Sequence, residues 1–322
     1  MSLIHIDILF NLGAMKDCIE LGYRVLNVVT QENIPKLIPE GMDENVFMFR
    51  LYDTVGFVAL ANIISLTGSV KQFLSIIKQD IPPLPSSYGY FNQLEDLIFG
   101  RLKTVEKFDI SPDDRFAPSI SLILNAFVKC KRDIKAFSEN IYKAKLCAKN
   151  QMLHKLEKFC DLMMAYICIM SDYSDKAEHI IVDIIQTGKN SGMSDIQMLA
   201  WYFMSSLYIN EKHYDLAYGV INNALIFLEK NSFKNDYLAM LLKYNLYKVF
   251  TMKRDLEKAQ ICLGQATGIS QKYGINIEFK QVEPPPEEEV TQTEIKESDY
   301  YDNEPDTDSD EDFQFEETAS KP

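Results

Sequence analysis

Cys147, His154, Cys160 and Cys168 are residues whose types could together hold a metal ion. Structural zinc sites draw thiolate and imidazole ligands from tight pairs, about two to four residues apart. No CxxC pair occurs here. Helical spacing puts Cys147 and His154 on one face, and Cys160 and Cys168 in the apolar stripe of the next helix. The reading is structural residues and no metal. His154, Glu157 and Asp161 fall at i, i+3 and i+7, a spacing that suits an acid–base cluster and equally a solvated helix face. The solvated face is the expectation, and His179 and His213 also read as surface. None of G-x-S-x-G, H-E-x-x-H, G-x-G-x-x-G or the G-x-x-x-x-G-K-[ST] phosphate loop is found. The expectation is a binding protein, not an enzyme, with no cofactor.

Charge narrows the partner class. The net charge is -14, but residues 281–322 hold 16 acids against 2 lysines. Removing them from the totals of 47 and 33 leaves 31 acids and 31 bases in residues 1–280. A nucleic-acid-binding body would carry a basic excess, so no nucleic acid is expected. The uncharged run Thr54–Val70 falls short of the ~20 residues that span a bilayer and is broken by Gly56, Asn62 and Gly68. It reads as a buried helix, with no membrane insertion. Six scattered cysteines read as reduced thiols, hence a cytoplasmic location; export under a leader trimmed from the chain is the alternative.

The elements that must position any site are helices. Glycine (13) and proline (12) are scarce among 322 residues, and 47% are hydrophobic. Trp201, Met204, Ser205 and Tyr208 share one helical face. After "INEKHYD", Ala217, Ile221, Ala224, Leu225 and Leu228 share another. Small residues admit a neighbouring helix and large ones fill the gaps. The pair is an antiparallel hairpin that cannot bury its stripes alone.

These residues resemble the tetratricopeptide (TPR) repeat, W-x2-L-G-x2-Y followed by A-x3-F and a further Ala. Trp201, Met204, Ser205, Tyr208, Ala217, Ile221 and Ala224 match in order; Glu229 stands where the closing proline is usual. Ala259, Leu263 and Ala266 repeat the second-helix pattern, as do Ala177, Ile181 and Ile184, and Ala136 offers a further anchor. Ala136, Ala177, Ala217 and Ala259 lie 41, 40 and 42 residues apart, against about 34 in the standard repeat. The pattern looks like the long-helix variant found in sensor arms of signalling ATPases and transcription activators. The resemblance implies an all-α fold, helix pairs stacked as a TPR-like solenoid; the few aliphatics and dense like charge of residues 281–322 add the expectation of a disordered acidic tail.

Three regions follow from this. Residues 1–117 read as divergent helical repeats with a Pro-rich break near 81–87, residues 118–280 as TPR-like repeats, and residues 281–322 as the disordered acidic tail. In the first region Cys18 and Phe73 take the anchor slot, with Gly13 and Gly68 in the turns. A helix over about Phe91–Phe108 accounts for excess length. The first helix has room only for about Leu3–Asn11, leaving an uncapped end repeat. Either the chain is part of something longer, or a partner or a second copy covers that end. Ser194 with Gln197 forms a capping-box pattern, Gly192 and Gly274 suit helix C-caps, and Asp255 suits an N-cap.

In the TPR family the first helices of each pair line a groove. The resemblance assigns Phe159, Leu162, Tyr166 and Ile169 to it, then Leu199, Tyr202, Ser206 and Ile209, then Leu241, Tyr244, Lys248 and Thr251. Leu162, Leu199 and Leu241 read as packing residues. Tyr166, Tyr202 and Tyr244 read as an aromatic stripe, with Ser206 and Lys248 beside it, fit for a partner peptide or helix. Tyr202 and Ser206 stand where a Lys and Asn carboxylate clamp would be needed, which disfavours that ligand. In the tail, Tyr300, Tyr301, Phe313 and Phe315 are set among acids and form a candidate docking motif. The functional expectation is a protein–protein interaction scaffold or adaptor in complex assembly, its partner unidentified. The alternative is the sensory or regulatory arm of a signalling regulator whose output domain lies elsewhere.

Overall fold

Apolar residues recur at helical spacing along the body, and in the computed structural model the regular elements are helices throughout. The structure describes residues 2–30, 32–65, 69–80, 88–107, 114–129, 133–230 and 235–286. Among the described residues there are fourteen α-helices and no strand, so the all-α class holds. Met1–Glu283 forms one compact unit; of the second, Pro284–Pro322, residues 284–286 are described, without regular structure. The tail aromatics Tyr300, Tyr301, Phe313 and Phe315 lie outside the described residues, as do Gly68, the break at 81–87 and most of the acidic tail.

The N-terminal part holds α1 (Ser2–Asn11), α2 (Met15–Leu26), the single turn α3 (Ile34–Leu37), α4 (Glu44–Ser65), α5 (Val70–Asp80) and α6 (Gly89–Ile98). α4 is its hub and packs on α1, α2, α5 and α6. By length and composition α4 could cross a membrane, and 72% of its apolar window is buried inside the fold. Every residue from Asp53 to Ile63 is buried. Such a helix must be surrounded. Gly56 makes room for Phe116: a β-carbon there would stand 2.4 Å from the ring. α5 ends at Asp80, close to where the prolines are expected to stop it. α6 is shorter than the expected Phe91–Phe108 helix. Gly100 turns left-handed at φ +68, and Arg101 and Leu102 donate back to the Asp96 carbonyl, which closes the helix. Phe108 is outside the described residues.

The remaining helices are α7 (Ala117–Lys129), α8 (Ile134–Asn150), α9 (His154–Met170), α10 (Ser174–Ser191), α11 (Ser194–Asn210), α12 (Tyr214–Lys230), α13 (Asp236–Met252) and α14 (Leu256–Tyr273). Each packs on the next, and α9, α11 and α13 also pack side by side. Three turns recur in detail. Asp172, Lys212 and Arg254 each adopt positive φ (58, 63 and 61°), and the next residue donates to a carbonyl five residues back. Five residues after each of these lies Ala177, Ala217 or Ala259, at most 2% exposed. Gly13 and Cys18 repeat the arrangement between α1 and α2, with Cys18 fully buried.

Two expectations shift by one residue. Ala136 is only half-buried; the Asp133 cap starts α8 so that Phe137, packed 5.2 Å from Phe127, takes the anchor place. Met193 rather than Ser194 precedes the first turn of α11, and no side-chain cap forms there. Gly192 and Gly274 do terminate α10 and α14 in the left-handed conformation, and Asp255 does cap α14.

The N-terminal part lies along one edge of the later helices, against the turns that enter α9, α11 and α13. Lys155 near the start of α9 and Asp195 near the start of α11 form a buried ion pair at 2.8 Å, 4% and 5% exposed. The Phe10 ring sits 4.9 Å from that ammonium, and a β-carbon at Gly13 would stand 3.4 Å from the Asp195 carboxylate and the Ser194 amide. Arg115 donates to the Gln151 carbonyl in the α8–α9 turn. Asn235, the N-cap of α13, donates to the Ile64 carbonyl, and Asn276 donates to Phe99. The expected bare end repeat is thus partly covered: Ile6 and Phe10 are buried, while Ile4, Ile8 and Leu12 stay exposed.

Candidate functional site

The groove residues come from α9, α11 and α13, three 17-residue helices in register at offsets of 40 and 42. Tyr202 and Tyr244 are both ninth in their helices. Tyr166 is thirteenth, one turn further along, level with Ser206 and Lys248. The stripe therefore runs as a diagonal across the three helices. Two of the three rings still meet, on Phe203. Tyr166 lies 6.1 Å and Tyr202 5.3 Å from Phe203. Burial pushes the Tyr202 phenol up to about 12; Ser206 opposes this, while the Tyr166 and Tyr244 hydroxyls nearby raise it further. Tyr202 is thus a neutral donor at physiological pH. Tyr166 is 41% exposed, whereas Tyr202 and Tyr244 are half-buried. Leu162 is fully buried, as its packing role requires; Ile169 and Thr251 also turn into the core.

Lys248 spreads its ammonium 4.5 Å over the Tyr244 ring and donates to Asn245 at 3.1 Å. Burial lowers its affinity for the proton. Asn245 was not among the expected site residues, yet it is fully buried and donates to the Ser205 and Ser206 hydroxyls at 2.9 Å. It ties α13 to α11 under the groove. A lone amide inside the apolar run "LLKYNLYKVF" is the signal that could have found it.

The α13 end of the groove is covered by the chain itself. Beyond Gly274 the chain has no regular structure, and Ile275 is buried. Phe279 packs 4.9 Å from the Tyr244 ring. The Tyr244 hydroxyl donates to the Lys280 carbonyl at 3.0 Å, and the Val282 amide donates to the Tyr247 hydroxyl at 2.9 Å. Packing thus continues through the change of composition at Gln281 to Val282. The alternation in "INIEF" was the legible sign of an extended segment.

A second concavity lies beside α4, lined by Val46, Phe49, Tyr52, Asp53, Tyr88 and Arg115, among others. Its polar groups face one another. Asp53 pairs with Arg115 at 2.5 Å; burial raises the carboxyl and the guanidinium opposes that. The Tyr88 hydroxyl donates to the Tyr52 carbonyl, and Asp114 accepts from Tyr90 and from the first amides of α7. The arrangement is a joint between α4, α7 and the α8–α9 turn.

Cys160 and Cys168 are buried on α9, Cys147 is half-buried on α8, and His154 is exposed. Asp161 holds Lys145 at 2.5 Å. Among the described residues no three His, Cys, Asp or Glu gather as a ligand set. Comparison with known protein families, curated proteins and solved structures returns no match.

Proposed function

We propose that this chain is a protein-interaction scaffold, a TPR-like solenoid of helix pairs that holds a partner's peptide or helix against α9, α11 and α13. The placement of Tyr166, Tyr202 and Tyr244 on three neighbouring helices carries the reading. Tyrosines lose little entropy on binding and offer both an apolar face and a hydroxyl. The recurring turns at Asp172, Lys212 and Arg254, with a small buried residue five positions on, support the solenoid part. The work of such a scaffold is complex assembly.

The test is a selection of peptides by display on the full-length chain, followed by Tyr166→Ala and Tyr202→Ala. Each variant should keep its far-UV circular dichroism and lose at least about tenfold in affinity for the selected peptides, ~1.4 kcal/mol. Folded variants that bind as well as the unaltered chain would remove the groove from the account.

A further inference from the structure

We propose that residues 275–282 are a built-in competitor for this groove, and that the ligand they hold off is an extended peptide with bulky apolar side chains on alternate residues. The inference rests on the groove reading and names its ligand and its regulation.

The segment is a bound peptide in all but connectivity. Ile275, Ile277 and Phe279 point into the cluster of Tyr237, Leu241 and Tyr244, while Asn276, Glu278 and Lys280 are exposed. That is the period of an extended strand laid on a surface. Tyr244 of the groove and Tyr247 behind it on α13 hold main-chain atoms, the Lys280 carbonyl and the Val282 amide. Main-chain recognition tolerates other sequences, so a foreign chain with the same apolar alternation can take the same bonds.

The hold is built to be exchanged. Ile277 and Phe279 are only half-buried, and the segment belongs to no helix or sheet. Its occupancy comes from tethering to α14, which gives an effective concentration of roughly millimolar order. A partner's apparent affinity falls by the fraction of time the groove is filled. Phe279 and Lys248 both rest on the Tyr244 ring, so release of the segment changes the groove's polar side as well.

The probe is a fluorescein-labelled peptide of residues 275–283, titrated into the full chain and into Ile277→Asp/Phe279→Asp, with circular dichroism as the folding control. The double variant should bind it at least tenfold more tightly than the unaltered chain, and adding Tyr244→Ala should abolish the gain. Equal binding by the two chains, or none by the folded double variant, overturns the proposal. Should the double variant not fold, amide exchange in the unaltered chain decides: millimolar peptide should accelerate exchange at Asn276 and Val282, and unchanged protection overturns the proposal. The two readings fail differently. Selected peptides that need Tyr166 and Tyr202 but bind the double variant no better leave the groove standing and overturn the competitor. A probe that behaves as expected, with no outside peptide needing those tyrosines, supports the competitor and removes the partner groove.

Discussion

The helices from α7 onward and the N-terminal part bury their apolar surface by opposite means. The later helices use neighbours in sequence: small residues such as Ala177, Ala217 and Ala224 let each helix nest against the next. The N-terminal part uses a hub. α4 is buried nearly all round, and an aromatic cluster closes over it, with Phe57 and Phe116 at 5.3 Å, Phe91 and Phe116 at 5.7 Å, and Tyr90 and Phe91 at 4.5 Å. Nearest-neighbour hairpins tolerate local change, because each contact is private to two or three helices. A hub does not, because several helices share it. The N-terminal part also braces the edge of the hairpins through hydrogen bonds to backbone carbonyls, and its Phe10 covers the buried Lys155–Asp195 ion pair that ties α9 to α11.

Breaking that ion pair should have the largest effect. Lys155→Met leaves the Asp195 carboxylate buried without its partner and should cost about 3–5 kcal/mol in urea unfolding. Adding Asp195→Leu should restore most of it, and a single-variant cost under ~1 kcal/mol would mean that the pair is not sealed from water beneath the N-terminal part. Glycine replacements sharpen the contrast next. Gly56→Ala in the hub drives a β-carbon to 2.4 Å from Phe116 and should cost about 2 kcal/mol. Gly219→Ala in α12, where nothing lies within 4 Å, should stabilise by up to ~1 kcal/mol. Equal effects at the two sites would erase the distinction.

Each part also hides a thiol. Burial pushes Cys18 and Cys160 up to about 12 from 9.0. Between those values the unfolded chain has lost a proton that the folded chain keeps. Stability is therefore unaffected by these groups below pH 9.0 and falls as pH rises toward about 12, by up to ~1.4 kcal/mol per unit for each thiol. Cys18→Ala and Cys160→Ala should each flatten the alkaline decline in urea midpoints, and an unchanged slope would exclude the thiols as its source. The smallest effect is the most local. Asp255→Ala removes the α14 cap and should cost ~1 kcal/mol, read as faster amide exchange in α14 with α1 to α6 unchanged.

Much of the hairpin region was legible from residues alone. The turn between α11 and α12, the caps at Gly192, Gly274 and Asp255, and the buried places of Ala177, Ala217 and Ala259 all follow from signals within a turn or two of sequence. Ala136 misled by one residue because a small residue was read as the anchor, whereas the Asp133 cap sets the phase of α8. Phe108 misled because α6 is closed by Gly100, a signal present but outweighed by apolar content further on. Of the groove, the tyrosines were legible as a type. Their diagonal follows from spacing as well, since Tyr166 stands 40 residues before Ser206 and so at its level and that of Lys248.

Spacing at 3.6 residues per turn, with left-handed turn residues between runs, determines where helices start, stop and turn back, because those forces act between atoms close along the chain. It does not say which surface covers which. That the first hundred residues lie along the turns of the later helices, that Lys155 finds Asp195, and that residues 275–282 fill the place beside Tyr244 were decided by tertiary packing. The reason is physical: apolar burial has no direction and little specificity, so the choice among possible covers rests on complementary shape, close glycine contacts and a few long-range polar bonds that exist only once the chain is folded.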